Sequence, residues 1–196
     1  MSTKVDHWRD RWAGRTVACL ASGPSLTRED CDRVHVAGLH TIVTNTTFRL
    51  CPWADVLFGF DARWWREHLS EVSKVFKGER LTCSPVGRAL GVPTLHGAQW
   101  FTTYHNSGAA AISLALASGA KRVVLLGYDC QKTGGMTHWH GDHPKTLGNA
   151  VSMPRWPHHF KQVARRAQSL GIEVVNCSRE TALTCFPRAP LESILS

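Results

Sequence analysis

The segment "GGMTHWHGDHPK", residues 134–145, sets His138, His140, Asp142 and His143 within six positions. Three imidazoles and a carboxylate this close together can do two kinds of chemistry. Neutral imidazoles with a carboxylate suit a zinc-type ion and the water it activates. A single imidazole, titrating near pH 6.5, can instead act as general base on a hydroxyl, with its neighbours orienting it or adjusting its basicity. An exposed loop whose histidines merely cap turns is the third reading.

As a pattern, "HWHGDH" satisfies HxHxDH, the metal-binding signature of metallo-β-lactamase-type hydrolases. A dinuclear site of that kind needs a bridging aspartate and further histidines later in the chain. No aspartate follows His143, and the later histidines are His158 and His159, adjacent on an expected helix. The full site therefore lacks donors. A single Zn or Mn ion on His138, His140 and His143 stays open beside the general-base reading.

A second informative stretch is "CLASGPSLTRED". A buried strand ends at Ser22, Gly23 lets a ligand approach the backbone, and Pro24 can start a helical turn. Ser25 and nearby amides could hold a phosphate or ribose at the positive end of that turn. Thr27 followed by Asp30 fits a capping box. Neither GxGxxG nor GxxxxGK[ST] occurs, so this is not a standard dinucleotide or P-loop fingerprint. Other polar groups fall at the tips of expected strands: Asn45, Asp61 and Asp129. Asn106, Ser107 and Gly108 open an expected helix, where amides can bind an anion.

The elements that must position these groups alternate. Strands are expected at 16–22, 40–45, 54–61, 80–84, 121–129 and 172–176, and helices at 61–76, 106–120 and 157–171. Short apolar runs between helical stretches point to an α/β fold: one Rossmann-like domain with a mainly parallel sheet flanked by helices. In such sheets the ligand crevice lies beyond the carboxyl ends of the strands, where the histidine loop falls. Residues 1–196 read as a single nucleotide-binding domain, with 1–15 as an N-terminal extension and 186–196 as a docked C-terminal tail. Of Trp64 and Trp65, one ring is expected in the core and one at the surface.

The order of these motifs resembles a known group. "ASGPSLTREDCDRV", an Asn after the second strand, then "NSGAAAISLALASGAKRVVLLGYD", are similar to bacterial sialyltransferases of glycosyltransferase family 42. They are also similar to the related motility accessory factors and archaeal hydroxymethylpterin diphosphokinase, and to phage-encoded proteins across "HNSGAAA", "THWHGDHP" and "VVNCSRETALTCFPR". The similarity of motif order spans roughly residues 16–186. It implies a nucleotide-activated donor held around the first turn by Ser22–Ser25, Asn45, Asp61, Asn106–Gly108 and Asp129. It further implies an inverting, metal-independent glycosyl transfer with His143 as base, aided by His140, His138 or Asp142. The sialyltransferases place tyrosines after the "GYD"-like strand to stabilise the departing phosphate. Here the tyrosines are Tyr104 and Tyr128, leaving Lys132, His138 or Lys145 as substitutes.

Composition is compatible with this. A formal charge of +8 over 196 residues suits an anionic partner. That partner could be a nucleotide-sugar or another nucleotide, with DNA or a surface glycan as acceptor. Seven scattered cysteines without a CxxC pair read as reduced thiols of a cytoplasmic protein. The polar start is neither signal peptide nor anchor, and no apolar run could span a membrane. No cofactor is expected beyond the donor. A metal-dependent hydrolase or phospho- or pyrophosphotransferase, and a non-catalytic nucleotide-binding module, remain the alternatives.

Overall fold

The computed structural model describes residues 5–142, 147 and 153–195. Its sheet contains β1 (Thr16–Leu20), β2 (His40–Thr44), β3 (Val56–Gly59), β4 (Glu79–Thr82), β5 (Arg122–Leu126) and β6 (Glu173–Asn176). The strands lie in the order β4-β3-β2-β1-β5-β6, and every pairing is parallel. Helices α1 (Arg28–Val36), α2 (Ala62–Val75), α3 (Ser107–Ala117) and α4 (Trp156–Ser169) flank it. This is the α/β, Rossmann-like architecture that the alternation implies.

The strands are near-continuous apolar runs because both faces of the sheet are covered. Alternate side chains feed two cores. Val17, Cys19, Ile42, Val123 and Leu125 pack under α3, α4 and the N-terminal segment. Ala18, Leu20, Val43, Val124 and Leu126 pack under α1, α2 and the C-terminal segment. In α3 the small residues Ala109, Ala110 and Ala111 are wholly buried, letting its backbone lie close to the sheet.

Two details add to the sequence reading, and a third, the placement of Trp64 and Trp65, departs from it. Residues 5–15 belong to the fold: Trp8 and Trp12 are buried, and the Trp12 and Gly14 amides donate to the carbonyls of Ser118 and Gly119 at 2.7 and 3.0 Å. The C-terminal segment is likewise docked, with Phe186 and Leu191 buried and Arg188 bridging to Asn176. Trp64 and Trp65 are both buried. Each indole N–H has an acceptor, Thr46 Oγ1 at 3.3 Å and the Gly59 carbonyl at 3.0 Å, so neither ring needs water.

Strand order runs outward from β1 in one direction and from β5 in the other. The chain therefore diverges between their carboxyl ends, the place where open α/β sheets leave a crevice. All seven cysteines are free thiols, and among the described residues no helix is long and apolar enough to cross a membrane.

Candidate functional site

A cleft of about 550 Å³ opens at that divergence. Its wall includes Ser22 and Gly23 after β1, Asn45 after β2, Asp61 after β3, and Asn106, Ser107 and Gly108 at the start of α3. Seven of the sequence-selected residues thus meet on one surface, and His138 faces the same space. Several also hold local structure. Asn106 Oδ1 caps α3 by accepting from the Ala109 amide at 3.0 Å, and Asp61 Oδ1 accepts from the Arg63 amide at 2.7 Å to cap α2. Ser22 Oγ lies 2.9 Å from Thr47 Oγ1, and Ser107 Oγ accepts from the Phe60 amide at 3.3 Å.

Pro24, Ser25 and Asp129 do not line the cleft. Asp129 is fully buried and works inside the protein. Its Oδ2 accepts from the Ser25 amide at 2.9 Å and from Thr133 Oγ1 at 3.1 Å; its Oδ1 accepts from Ser25 Oγ at 2.7 Å. One carboxylate therefore fastens the first turn to the start of the histidine loop. Burial pushes its carboxyl above the usual range, against those three hydrogen bonds. Gly23 also has an internal reason. A Cβ there would stand 2.1 Å from Asp129 Oδ1 and 2.4 Å from the Gly127 carbonyl oxygen, so the glycine is demanded by the turn's own packing.

From Thr133 the loop reverses at once. Thr133 and Met136 exchange both backbone hydrogen bonds at 3.1 Å around Gly134 and Gly135, whose positive φ values of 59° and 80° suit the two-residue turn of a hairpin. The returning strand carries Thr137 and His138 into the cleft wall, and the Trp139 amide donates to the Ser22 carbonyl at 3.1 Å.

Thr137 Oγ1 stands between two of the selected groups. It donates to Asp142 Oδ1 at 3.2 Å and lies 3.1 Å from His138 Nδ1. A hydroxyl has one proton to give. Having given it to the carboxylate, it can accept from Nδ1–H, the tautomer that would leave the imidazole lone pair on Nε2. Burial pushes the His138 pKa below the ordinary histidine value, with the Asp142 charge opposing. That direction favours the neutral ring, while a hydrogen bond with the Gly141 backbone works against it. His140 stacks on His138, with ring centroids 5.1 Å apart and planes 11° from parallel. Among the described residues no group of three or more His, Cys, Asp or Glu is placed to hold a metal ion. His143 and Lys145 lie outside the described residues, and exposed Lys132 is not in the wall.

The cleft also contains residues the sequence reading left out of the site: His105, Gln131, Thr137 and Trp156, with Arg155 noted there only as part of a basic face. Arg155 is the one arginine or lysine among the described residues of the wall. Strained backbone marks the same region. Of the five described non-glycine residues with positive φ, Asn45, His105 and Cys130 line the cleft and Tyr104 adjoins it. Such conformations cost of order 1–3 kcal/mol each and concentrate at functional sites. No family model and no curated protein matches the chain.

Proposed function

We propose that this chain is a nucleotide-sugar-dependent glycosyltransferase, inverting and metal-independent. The observation that carries the reading is the meeting of the Ser22–Gly23 turn with the His138 segment on one cleft at the diverging strands. The first turn of α3 offers backbone N–H groups and the positive end of a helix dipole to the donor phosphate, with Arg155 as the adjacent cation. Asn45 and Asp61 supply polar groups for the nucleoside hydroxyls and base.

The chemistry is one displacement. The acceptor hydroxyl oxygen bonds to the anomeric carbon while His138 Nε2 takes its proton. The bond from that carbon to the donor phosphate oxygen breaks on the opposite face, and its electron pair leaves with the nucleotide. Arg155 and the α3 amides stabilise the charge that develops there, the task that tyrosines perform in the sialyltransferases this chain resembles. His143, the base by resemblance, competes with His138 for the role.

The test separates them. His138→Ala and His143→Ala are assayed for transfer with a panel of nucleotide-sugars, with and without EDTA, while donor binding is followed by thermal shift. One variant should lose transfer by about 10²-fold or more and keep the donor-induced shift, and EDTA should leave the rate unchanged. Stoichiometric zinc or manganese with loss of activity in EDTA would instead favour the metal-dependent alternative.

A further inference from the structure

We infer that the exposed face of α4 is a docking track for single-stranded nucleic acid, which brings a polymeric acceptor to the cleft. The inference rests on the transfer reading for its purpose, but its observations are separate. Residues 153–170 contain Arg155, Lys161, Arg165 and Arg166, with His158 and His159 between them, and no aspartate or glutamate. All four strong cations are exposed. None forms an ion pair with a described carboxylate, whereas Arg11, Arg33, Arg49, Arg122 and Arg179 each do.

This unneutralised charge is aligned. Lys161 and Arg165 lie one turn apart and Arg155 lies further toward the helix start, a span of about 15 Å at 1.5 Å per residue, with the His158 imidazole between them. It begins in the cleft wall, where Arg155 and Trp156 sit, and runs away from it. Beside its far half lies a groove of about 510 Å³, edged by Lys161 and Arg165 and walled by Ile172, Phe186 and Pro187; the one carboxylate in its lining, Glu173, is paired with Arg122. Cations at the edge and apolar surface between them match a strand whose phosphates face outward and whose bases turn inward. Single-stranded nucleic acid presents that combination, whereas a duplex keeps its base faces stacked. The cleft adds a second reason. A nucleotide can enter a 550 Å³ space only when it is out of a duplex.

The experiment is fluorescence anisotropy of a labelled mixed-sequence single-stranded oligonucleotide against the full chain, over a salt series. Four phosphate contacts give a log–log salt slope of about −2.8 for a single strand. K161Q/R165Q/R166Q should weaken binding at least tenfold and cut the slope to about −0.7. The charge-matched control K74Q/K77Q/R88Q, at exposed positions just before and after β4, the sheet edge opposite β6, should bind like wild type. Three results would overturn the inference: a duplex of the same sequence bound more tightly, binding to anionic phospholipid vesicles but not oligonucleotide, or equal losses in variant and control. Donor binding is read in the same proteins by thermal shift. If nucleotide-sugars shift the wild type but the oligonucleotide does not bind, the track fails and the transfer reading stands. Oligonucleotide binding with no nucleotide-sugar shift has the reverse meaning.

Discussion

The Trp139 amide donates to the Ser22 carbonyl across 3.1 Å, joining the histidine loop to the turn after the first strand. That bond is made by backbone, so a side-chain change cannot delete it directly. It can be loosened, because the Trp139 ring packs against the core beneath α1 and α2 and pins the loop there. Trp139→Ala should lower kcat at least tenfold while donor affinity falls less than threefold, since the Ser22–Gly23 turn is held separately by Asp129. Steady-state kinetics beside equilibrium donor binding checks this. Equal losses in both would mean the loop and the turn are one unit.

Protonation of His138 supplies a second handle. A base must be neutral to work, so activity falls as pH drops through its pKa. Burial holds that pKa below the ordinary value of about 6.5. The acid limb of kcat/KM should therefore have its midpoint below pH 6.5. The same shift makes folding pH-dependent: the unfolded imidazole takes a proton more readily, so stability present above pH 6.5 is lost as pH falls below it. Asp142→Asn removes the opposing charge and should move the acid limb lower still. A limb above pH 6.5 would point to a different base.

Asp129 separates a structural carboxylate from a catalytic one. Its buried charge is costly, and its three hydrogen bonds need only acceptors that an amide can largely reproduce, with Ser25 Oγ turning to accept from the new N–H. Asp129→Asn should change stability by less than about 1 kcal/mol and retain donor binding, while Asp129→Ala should cost about 2–4 kcal/mol by orphaning the Ser25 amide and opening a void. Chemical denaturation of the two variants decides. Loss of turnover in a stable, donor-binding Asp129→Asn protein would make the carboxylate catalytic.

How far the sequence could be read follows the range of the interactions. The strands were legible because each is a short apolar run buried on both faces, and α3 because Asn106 and Gly119 bracket it. The cleft wall from Ser22 to Gly108 was legible because residues at strand tips and helix starts share one edge of a parallel sheet. Arg155 and Trp156 were not assigned to that wall, because their place depends on α4 packing beside α3. Asp129 looked like a ligand group because it ends an apolar run. Its actual partners are 104 residues upstream at Ser25 and four downstream at Thr133. Gly23 was selected for ligand approach and does line the cleft, but its crowding by Gly127 and Asp129 could not be read from sequence.

Arg155 carries the last prediction. It lines the cleft near the start of α3, while the helices around it bring His105, His158 and His159 close enough for mutual repulsion to hold the His159 pKa down, after burial as the larger cause. An arginine beside the amide-bearing start of a helix suits an anion. A charged hydrogen bond to phosphate contributes about 1.5–3 kcal/mol, so Arg155→Gln should weaken nucleotide-diphosphate binding by ten- to a hundredfold. Arg155→Lys should restore part of that loss, because a point charge can neutralise phosphate without the paired N–H geometry of guanidinium. Removing Arg155 also relieves His159 of one repelling charge, so its imidazole pKa should rise, which NMR titration of the ring can follow. Isothermal titration with nucleoside diphosphates measures the first effect. Unchanged affinity in Arg155→Gln would move the phosphate away from α4 and leave the α3 amides to hold it alone.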